Sequence, residues 1–489
     1  MRTQHFLTVI LLMAMASALA QNVRLDSSFG TNGIFIYPKI TSNSKVYSLV
    51  QLSDSSIIAG VHANTSRDPF CLKLTPNGQL DTSFADSGKL TIPTIGATAI
   101  RVVLHTQDRF IVVISTDYII KVSRWFADGS PDISFGHNGS MVIIPPDCRA
   151  LLTSLTTDQQ GRIIIGTFQD DRVFLRFGIT RLTTNGFLDT SFGTNGHVWI
   201  KSNRHRLYLI AVSTDPQNRI IAAGYGINFM SDYDDLIAIR LLESGQLDEN
   251  FGNMGFATFT GNDDIHARSV KVQNDGKIIL GGRISTGNTG IFSTARFRPD
   301  GTPDSTWGTM GLVNSSMTDT DNMIHAIALQ PDGRLVAVGY GTPAGGVRDL
   351  VLARYLPNGT LDASFGSAGK IILNVSHHDE LLAVHLQRDK KILTAGYSRE
   401  GSMDRPVIVR FTNGNPQLSI INPFPLEKVN PGSQLRIRWI PDGIQTVKLE
   451  ISINGSSNWS TIPGAEMLPA SDSSFLWTVP NTPSPICYI

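Results

Sequence analysis

The stretch Leu188-Asp189-Thr190-Ser191-Phe192-Gly193-Thr194-Asn195-Gly196 decides the fold, because its pattern recurs along the chain. Counterparts begin at Leu25, Leu80, Pro131, Leu247, Pro303 and Leu361, with successive starts 55, 51, 57, 59, 56 and 58 residues apart. Near-constant spacing of one motif marks a repeat architecture. Departures within it are local: Ala85 stands in a glycine position and Trp307 in the phenylalanine position.

Read from Leu188 to Gln246, the motif is followed by four strand-like segments at 197–200, 207–214, 219–225 and 236–242. The second-to-third connection is turn chemistry in later units, as in Gln273-Asn274-Asp275-Gly276 and Gln330-Pro331-Asp332-Gly333. Asp-Gly takes the left-handed backbone that a tight hairpin needs. Four short strands in a meander cannot cover both faces of their own sheet. Repetition about a central axis covers each sheet with its neighbours, which is a β-propeller. Seven units between Leu25 and Gly414 predict an all-β chain, a seven-bladed β-propeller of four-stranded antiparallel blades. A linear stack of the same sheets is the alternative, and neither end carries the polar cap it would need. The repeat leaves the blade phase open. Asn22-Val23-Arg24-Leu25 resembles the end of a fourth strand and is expected to stitch against the last blade.

After Gly414 the pattern changes. Strict alternation at 435–439 and 447–453, with a further segment at 475–480, predicts a small β-sandwich. The chain stops on Ile486-Cys487-Tyr488-Ile489, inside a strand pattern, so this sandwich is expected to be truncated or completed by a partner strand. The expected organisation is a signal peptide at 1–20, the propeller at 21–414 and an immunoglobulin-like sandwich at 415–489.

The LDxSFGxxG motif, the hairpin Gln330-Pro331-Asp332-Gly333-Arg334 and the junction Leu352-Ala353-Arg354-Tyr355-Leu356-Pro357-Asn358-Gly359-Thr360-Leu361-Asp362 resemble the delta-60 repeat family of exported proteins. The resemblance implies a propeller-like secreted or surface protein and no known activity. The C-terminal segment is similar to immunoglobulin-like modules of bacterial surface proteins and of cell-wall proteins of the Kre9/Knh1 type.

Lys+Arg and Asp+Glu both number 41, so the formal net charge is zero. A phosphate backbone is bound through positive surface, and no basic run appears, so nucleic acid is not an expected partner. At the N-terminus Arg2 and His5 precede an apolar run from Phe6 to Ala16, and Ala18-Leu19-Ala20 supplies a cleavage site. The run is short of the roughly 20 residues that span a bilayer. Cleavage after Ala20 and a secreted or cell-surface location are expected, without membrane insertion. Cys71, Cys148 and Cys487 are too few and too distant for a disulfide framework, and Cys71 reads as a buried small residue.

Seven motif aspartates, Asp26, Asp81, Asp132, Asp189, Asp248, Asp304 and Asp362, read as turn caps rather than metal ligands. Arg240, Arg296, Arg354 and Arg410 recur with them and are expected to pair with the turn carboxylates. In a meander the motif-bearing face repeats from blade to blade, while the opposite face carries loops of varied length and chemistry. Recognition belongs to varied loops on a rigid scaffold. The candidate ligand-binding residues are therefore Asp232, Tyr233 and Asp234, Asp263 and Asp264, Asp319 and Asp321, and His377, His378 and Asp379. Calcium is considered at Asp319 and Asp321, but the glycine turn and distal glutamate of a calcium loop are missing. A transition metal at His377-His378-Asp379-Glu380 lacks a known ligand spacing. No cofactor is expected. Nucleophile elbow, paired-histidine zinc and phosphate-loop motifs are absent from the sequence, so no catalytic residue is assigned. The leading expectation is a scaffold that binds extracellular glycan or protein through these loops. The alternatives are a polysaccharide-active propeller enzyme and a purely architectural surface protein.

Overall fold

The computed structural model describes residues 7–10, 23–38, 42–63, 68–106, 108–144, 149–170, 175–231, 233–287, 289–413, 417–422, 428–442, 446–452, 459–481 and 487–488. Asp232, Cys148 and the cleavage position at Ala20 fall outside them. Two compact units are present: Leu25–Phe411, and Thr412–Ile489 together with Met1–Arg24. Among the described residues no helix is long and apolar enough to cross a membrane.

The first unit is a seven-bladed propeller of four-stranded antiparallel sheets. Six blades use consecutive strands. The fourth, for example, comprises His205–Thr214, Ile220–Asn228, Asp234–Leu241 and Phe256–Phe259, ordered from the axis outward. The seventh takes Asp379–Leu386, Ile392–Glu400 and Met403–Phe411 from the end of the repeat, and its outer strand, Ile34–Ile36, from the beginning. Ile34, Phe35 and Ile36 pair with Val409, Ile408 and Val407, and Leu25 bridges Phe411. The stitch expected near Leu25 is therefore the ring closure, and it lets blade seven cover the face of blade one that an open arc would expose.

The strands form because their buried side chains have a neighbour sheet on either side. One apolar cluster joins Ala211, Ile221, Ala223 and Phe251 of blade four to Ala267, Val270 and Leu280 of blade five. An equivalent cluster joins Phe29, Ala383, Leu393 and Ile408 of blade seven to Val46, Ile57 and Leu72 of blade one, so the seam is packed like the other interfaces.

The blade phase is shifted from the one that starts each unit at the motif. The segment after the motif closes the sheet already begun, so Leu188–Gly196 links the third strand of blade three, Leu175–Leu182, to its outer strand, His197–Ile200. The recurring arginines consequently lie on third strands, not fourth. The two faces keep the same loops under either phase, because the shift is one whole strand in a closed cycle.

In the second unit Gln417–Asn422, Gln434–Asp442 and Ser474–Thr478 form one sheet, and two short ladders pair Thr446–Val447 with Leu468–Pro469 and Glu450–Ile451 with Ser460–Thr461. These sheets make a small sandwich around Ile437, Trp439, Leu449, Ile462 and Trp477. The Trp439 indole N–H donates to the Ala470 carbonyl at 3.0 Å, satisfying the polar edge of a buried ring.

Candidate functional site: the axial mouth of the variable face

On the motif face the repeated residues are consumed by structure. Arg296 Nε donates to Asp304 Oδ2 at 2.8 Å, Nη2 to Thr306 Oγ1 at 2.9 Å and Nη1 to the Pro357 carbonyl of the next blade at 2.7 Å. Its guanidinium lies 4.6 Å from the Trp307 ring centre. Arg181, Arg240, Arg354 and Arg410 repeat the carboxylate bond at 2.8 Å to Asp189, Asp248, Asp362 and Asp26, and Arg124 makes it to Asp132 at 2.7 Å. Lys73 takes the cation position in blade one, 3.2 Å from Asp81. The motif glycine N–H also reaches across: Gly193 donates to the Ser244 carbonyl and Gly252 to Asp300, each in the following blade. Gly301, at φ +85°, closes over the Phe251 ring of the preceding blade, where a Cβ would lie 2.9 Å from Cδ2. The motif thus sits within one blade and fastens it to the next.

On the opposite face the inner strands end around the axis. In six blades the inner strand carries an extra, bulged residue: Tyr47, Thr153, Ile210, Arg268, His325 and Leu382. All six are half-buried, next to fully buried neighbours that point between blades, so they face the central channel. In blades four to seven the bulge is met by glycine on the second strand, at positions 224, 282, 339 and 396. A Cβ on Gly282, Gly339 or Gly396 would lie 1.8 Å from the carbonyl oxygen of His266, Met323 or Glu380. Bulges re-aim side chains in this way next to functional sites.

One rung above the bulge, the register pairs Tyr208 with Tyr225, His266 with Arg283, Met323 with Tyr340 and Glu380 with Tyr397. The rings form one stack across blades three to five: Phe168 on Tyr208 at 5.5 Å, Tyr208 on its blade-four partner Tyr225 at 4.8 Å, and Tyr225 on His266 at 3.9 Å. His266 Nε2 lies 2.7 Å from Asp234 Oδ2. With Nε2 donating to that carboxylate, Nδ1 is the acceptor. Burial outweighs the Asp234 carboxylate and pushes the imidazole below its ordinary range, so it is neutral at pH 7.

The acids at this level are already matched. Glu380 contacts Arg348, and His325 Nε2 at 3.3 Å. Its burial raises the pKa, but His325, Tyr397 and Arg348 outweigh that and hold the carboxyl at about 2. Asp321 accepts from Arg283 Nη1 at 3.2 Å and from the Tyr340 hydroxyl at 2.7 Å. Burial, then the Asp321 bond, pushes the Tyr340 phenol up to about 12. Asp404 is 3.2 Å from Lys45.

The candidates read from the sequence are divided by the structure. Tyr233, Asp319 and His377 are exposed on the variable face. Asp263 and Asp264 are half-buried, and the Asp264 carboxylate caps the Asp234 N–H at 2.9 Å. Asp379 is fully buried and accepts from the Val375 and Ser376 N–H groups at 2.7 and 3.0 Å. His378 is half-buried and stacks on His377 at 5.1 Å. Asp319 caps Ala344 while Asp321 holds Arg283 and Tyr340. Among the described residues no group of three or more histidine, cysteine or carboxylate side chains is arranged to hold a metal ion. Cys71 is fully buried, and burial pushes its thiol up, away from reactivity. The inner-strand residues of the channel were missed in the sequence. Their signal is the Gly-Tyr pair at 224–225, 339–340 and 396–397, with Arg283 at the same register.

Four stretches, 52–84, 161–192, 273–306 and 330–365, match the model of a family described as "Domain of unknown function (DUF5122) beta-propeller". Each match begins close to the first hairpin of a blade and runs into its motif. The chain is a propeller repeat protein. No curated protein sequence matches this repeat protein significantly. Among solved structures, polysaccharide lyase Uly1 aligns at 10% identity over 83% of this chain and 100% of its own, with a TM-score of 0.48. A catalytically inactive virginiamycin B lyase from Staphylococcus aureus with quinupristin aligns at 11% identity over 78% and 98%, with a TM-score of 0.47. The Dos1 propeller aligns at 14% identity over 76% and 78%, with a TM-score of 0.42. At these values the likeness extends to no ligand or reaction.

Proposed function

We propose that this repeat protein is a secreted or surface-displayed binding scaffold whose extracellular glycan or protein ligand seats on the variable face, centred on the axial mouth. The observation that carries the reading is the half-buried ring of Tyr47, Tyr208, Tyr225, His266 and Arg268 around the channel. Rigid strands set it, and on the same face the loop between Ile220–Asn228 and Asp234–Leu241 exposes Phe229, Met230 and Tyr233. Amphipathic rings and fixed donors at a concave, preformed mouth suit a ligand bearing hydroxyl and amide groups. Export is supported by the apolar run from Phe6 to Ala16 before Ala18-Leu19-Ala20. The C-terminal sandwich, read as an immunoglobulin-like accessory module, would serve display.

The test is retention on glycan and protein arrays, with and without calcium, comparing the wild type with Tyr208→Leu and with Phe229→Ala/Tyr233→Ala. Loss of retention at an unchanged melting temperature supports the reading. Full retention by both variants places the ligand elsewhere. The His266–Asp234 pair favours one second reading, a polysaccharide-active enzyme with neutral His266 as base. Turnover of a polysaccharide panel, abolished by His266→Gln, would establish it.

A further inference from the structure

We propose that the central channel below this mouth is an anion-binding site, built to receive an oxyanion group, carboxylate or phosphate, of the ligand. The inference deepens the binding reading above and rests on the same face.

The site is made by positions on three inner strands. Arg101 and Arg268 lie at the bulge level, on Ala99–Leu104 and Asp264–Val272. One turn of the pleat deeper, Lys271 pairs with Ile279 in blade five, and His385 pairs with Leu393 at the equivalent register of blade seven. Among the described residues Arg268, Lys271 and His385 make no hydrogen bond and no ion pair. Arg101 donates only to the carbonyl of its neighbour Ile100, with its guanidinium 5.3 Å from the Tyr47 ring centre. Arg268 Nε is enclosed without a partner. No aspartate or glutamate occupies an inner strand at either of these levels.

Elsewhere in this propeller, buried cations are paired: every motif position holds its carboxylate. The nearby rim acids Asp321, Glu380 and Asp404 are each committed to another cation. The channel cations therefore stand uncompensated in a chain of zero formal net charge. Lys271 is reached by solvent, yet the protein around it pushes its ammonium below the ordinary lysine range. Both hold for a group inside a narrow, wet channel. Burial, then the neighbouring Lys271 and Arg388, pushes His385 down to about 4, so Lys271 is felt across the channel from blade five to blade seven. Cations lining one channel without counter-charge focus a positive potential and draw an anion. Guanidinium and ammonium donors bind an oxyanion through charge-assisted hydrogen bonds.

The experiment is isothermal titration calorimetry of the full chain at low ionic strength, with D-glucuronate, inorganic phosphate and D-glucose as probes. We expect glucuronate and phosphate to bind, and glucose to bind at least tenfold more weakly. Arg268→Gln and Lys271→Met should each weaken both anions about tenfold, with melting temperatures unchanged because neither side chain makes a hydrogen bond or ion pair. A phosphate response without a glucuronate response, lost in both variants, supports the site and assigns it to phosphate; the converse assigns it to carboxylate. Glucose binding as tight as glucuronate, or anion affinity unchanged in both variants, overturns the proposal. The binding reading fails separately. Array retention that is lost in the rim-loop variants, with no anion preference, leaves that reading standing and sinks this one. Anion binding by a protein that retains nothing on any array does the reverse.

Discussion

Arg296→Met tests whether the motif cation holds the propeller together. The side chain is 5% exposed and its partner Asp304 is 2% exposed. Removing one member of a buried pair leaves the other charge uncompensated, at a cost of about 3–5 kcal/mol. Asp304 keeps two bonds, from the Thr306 N–H at 3.1 Å and hydroxyl at 2.7 Å, which puts the expected loss at the lower end, about 3 kcal/mol. A second arginine supplies the control. Arg298 Nε lies 4.0 Å from the same carboxylate, but its side chain is 47% exposed, so Arg298→Met should cost under about 1 kcal/mol. Asp304→Asn in the Arg296→Met background should cost less than the two single changes summed, because the orphaned charge is gone. Equilibrium urea unfolding followed by far-ultraviolet circular dichroism reads all four. Equal midpoint shifts for Arg296→Met and Arg298→Met would refute the argument, since burial would then not be deciding the cost.

Acid unfolding should track the motif. Burial raises the Asp26 pKa, but Ser28, Arg410 and Lys391 outweigh it and hold the carboxyl at about 2. A folded pKa below the unfolded value of about 3.9 gives stability that is complete above pH 4 and lost as pH falls through 2. The stability gap between wild type and Asp26→Asn should therefore shrink between pH 4 and pH 2; a constant gap counts against the shift. Phe29→Ala at the seam and Phe251→Ala within the ring should each cost about 3–5 kcal/mol, since both rings are fully buried. A seam variant costing under half as much would show an arc open at Ile34–Ile36. Met254 and Met310 hold φ of 52° and 54° and are exposed, so Met→Asn at either should raise the melting temperature by easing a left-handed backbone. Gly339→Ala should destabilise by about 1–3 kcal/mol through the clash with the Met323 carbonyl, and should perturb the His325 nuclear magnetic resonance signals.

The blade count was legible because one motif per blade must be repeated for each interface to close. The phase was not, because a closed cycle of four strands looks the same whichever strand begins it. Only pairing reveals that Ile34–Ile36 belongs with Met403–Phe411. Tyr233 and His377 were legible as exposed loop residues. Asp379 was misplaced because polarity in a loop-like stretch does not separate a solvated acid from one that caps buried N–H groups. The channel residues were hidden for a related reason. Bulges interrupt the alternation of the inner strands, so Arg268 and His325 fall out of the period-two pattern that marks a strand face.

Register, not residue type, therefore decides whether an arginine of this propeller is paired. Arg296 and Arg268 lie in the same blade, 28 positions apart, and differ in every relevant respect. The third-strand arginine meets a carboxylate, a hydroxyl, a carbonyl and a ring, and its charge is spent within the fold. The inner-strand arginine is turned to the axis by a bulge, which the adjacent Gly282 permits, and meets no counter-charge. A buried cation without a partner is costly unless something else repays it. Six of seven inner strands keep the bulge, yet only blades two, five, six and seven place a cation or histidine at the two axial levels. Fold requirements alone would make the blades alike there, as they do at the motif. In the anion site proposed above, that asymmetry would set how a bound group is oriented about the axis.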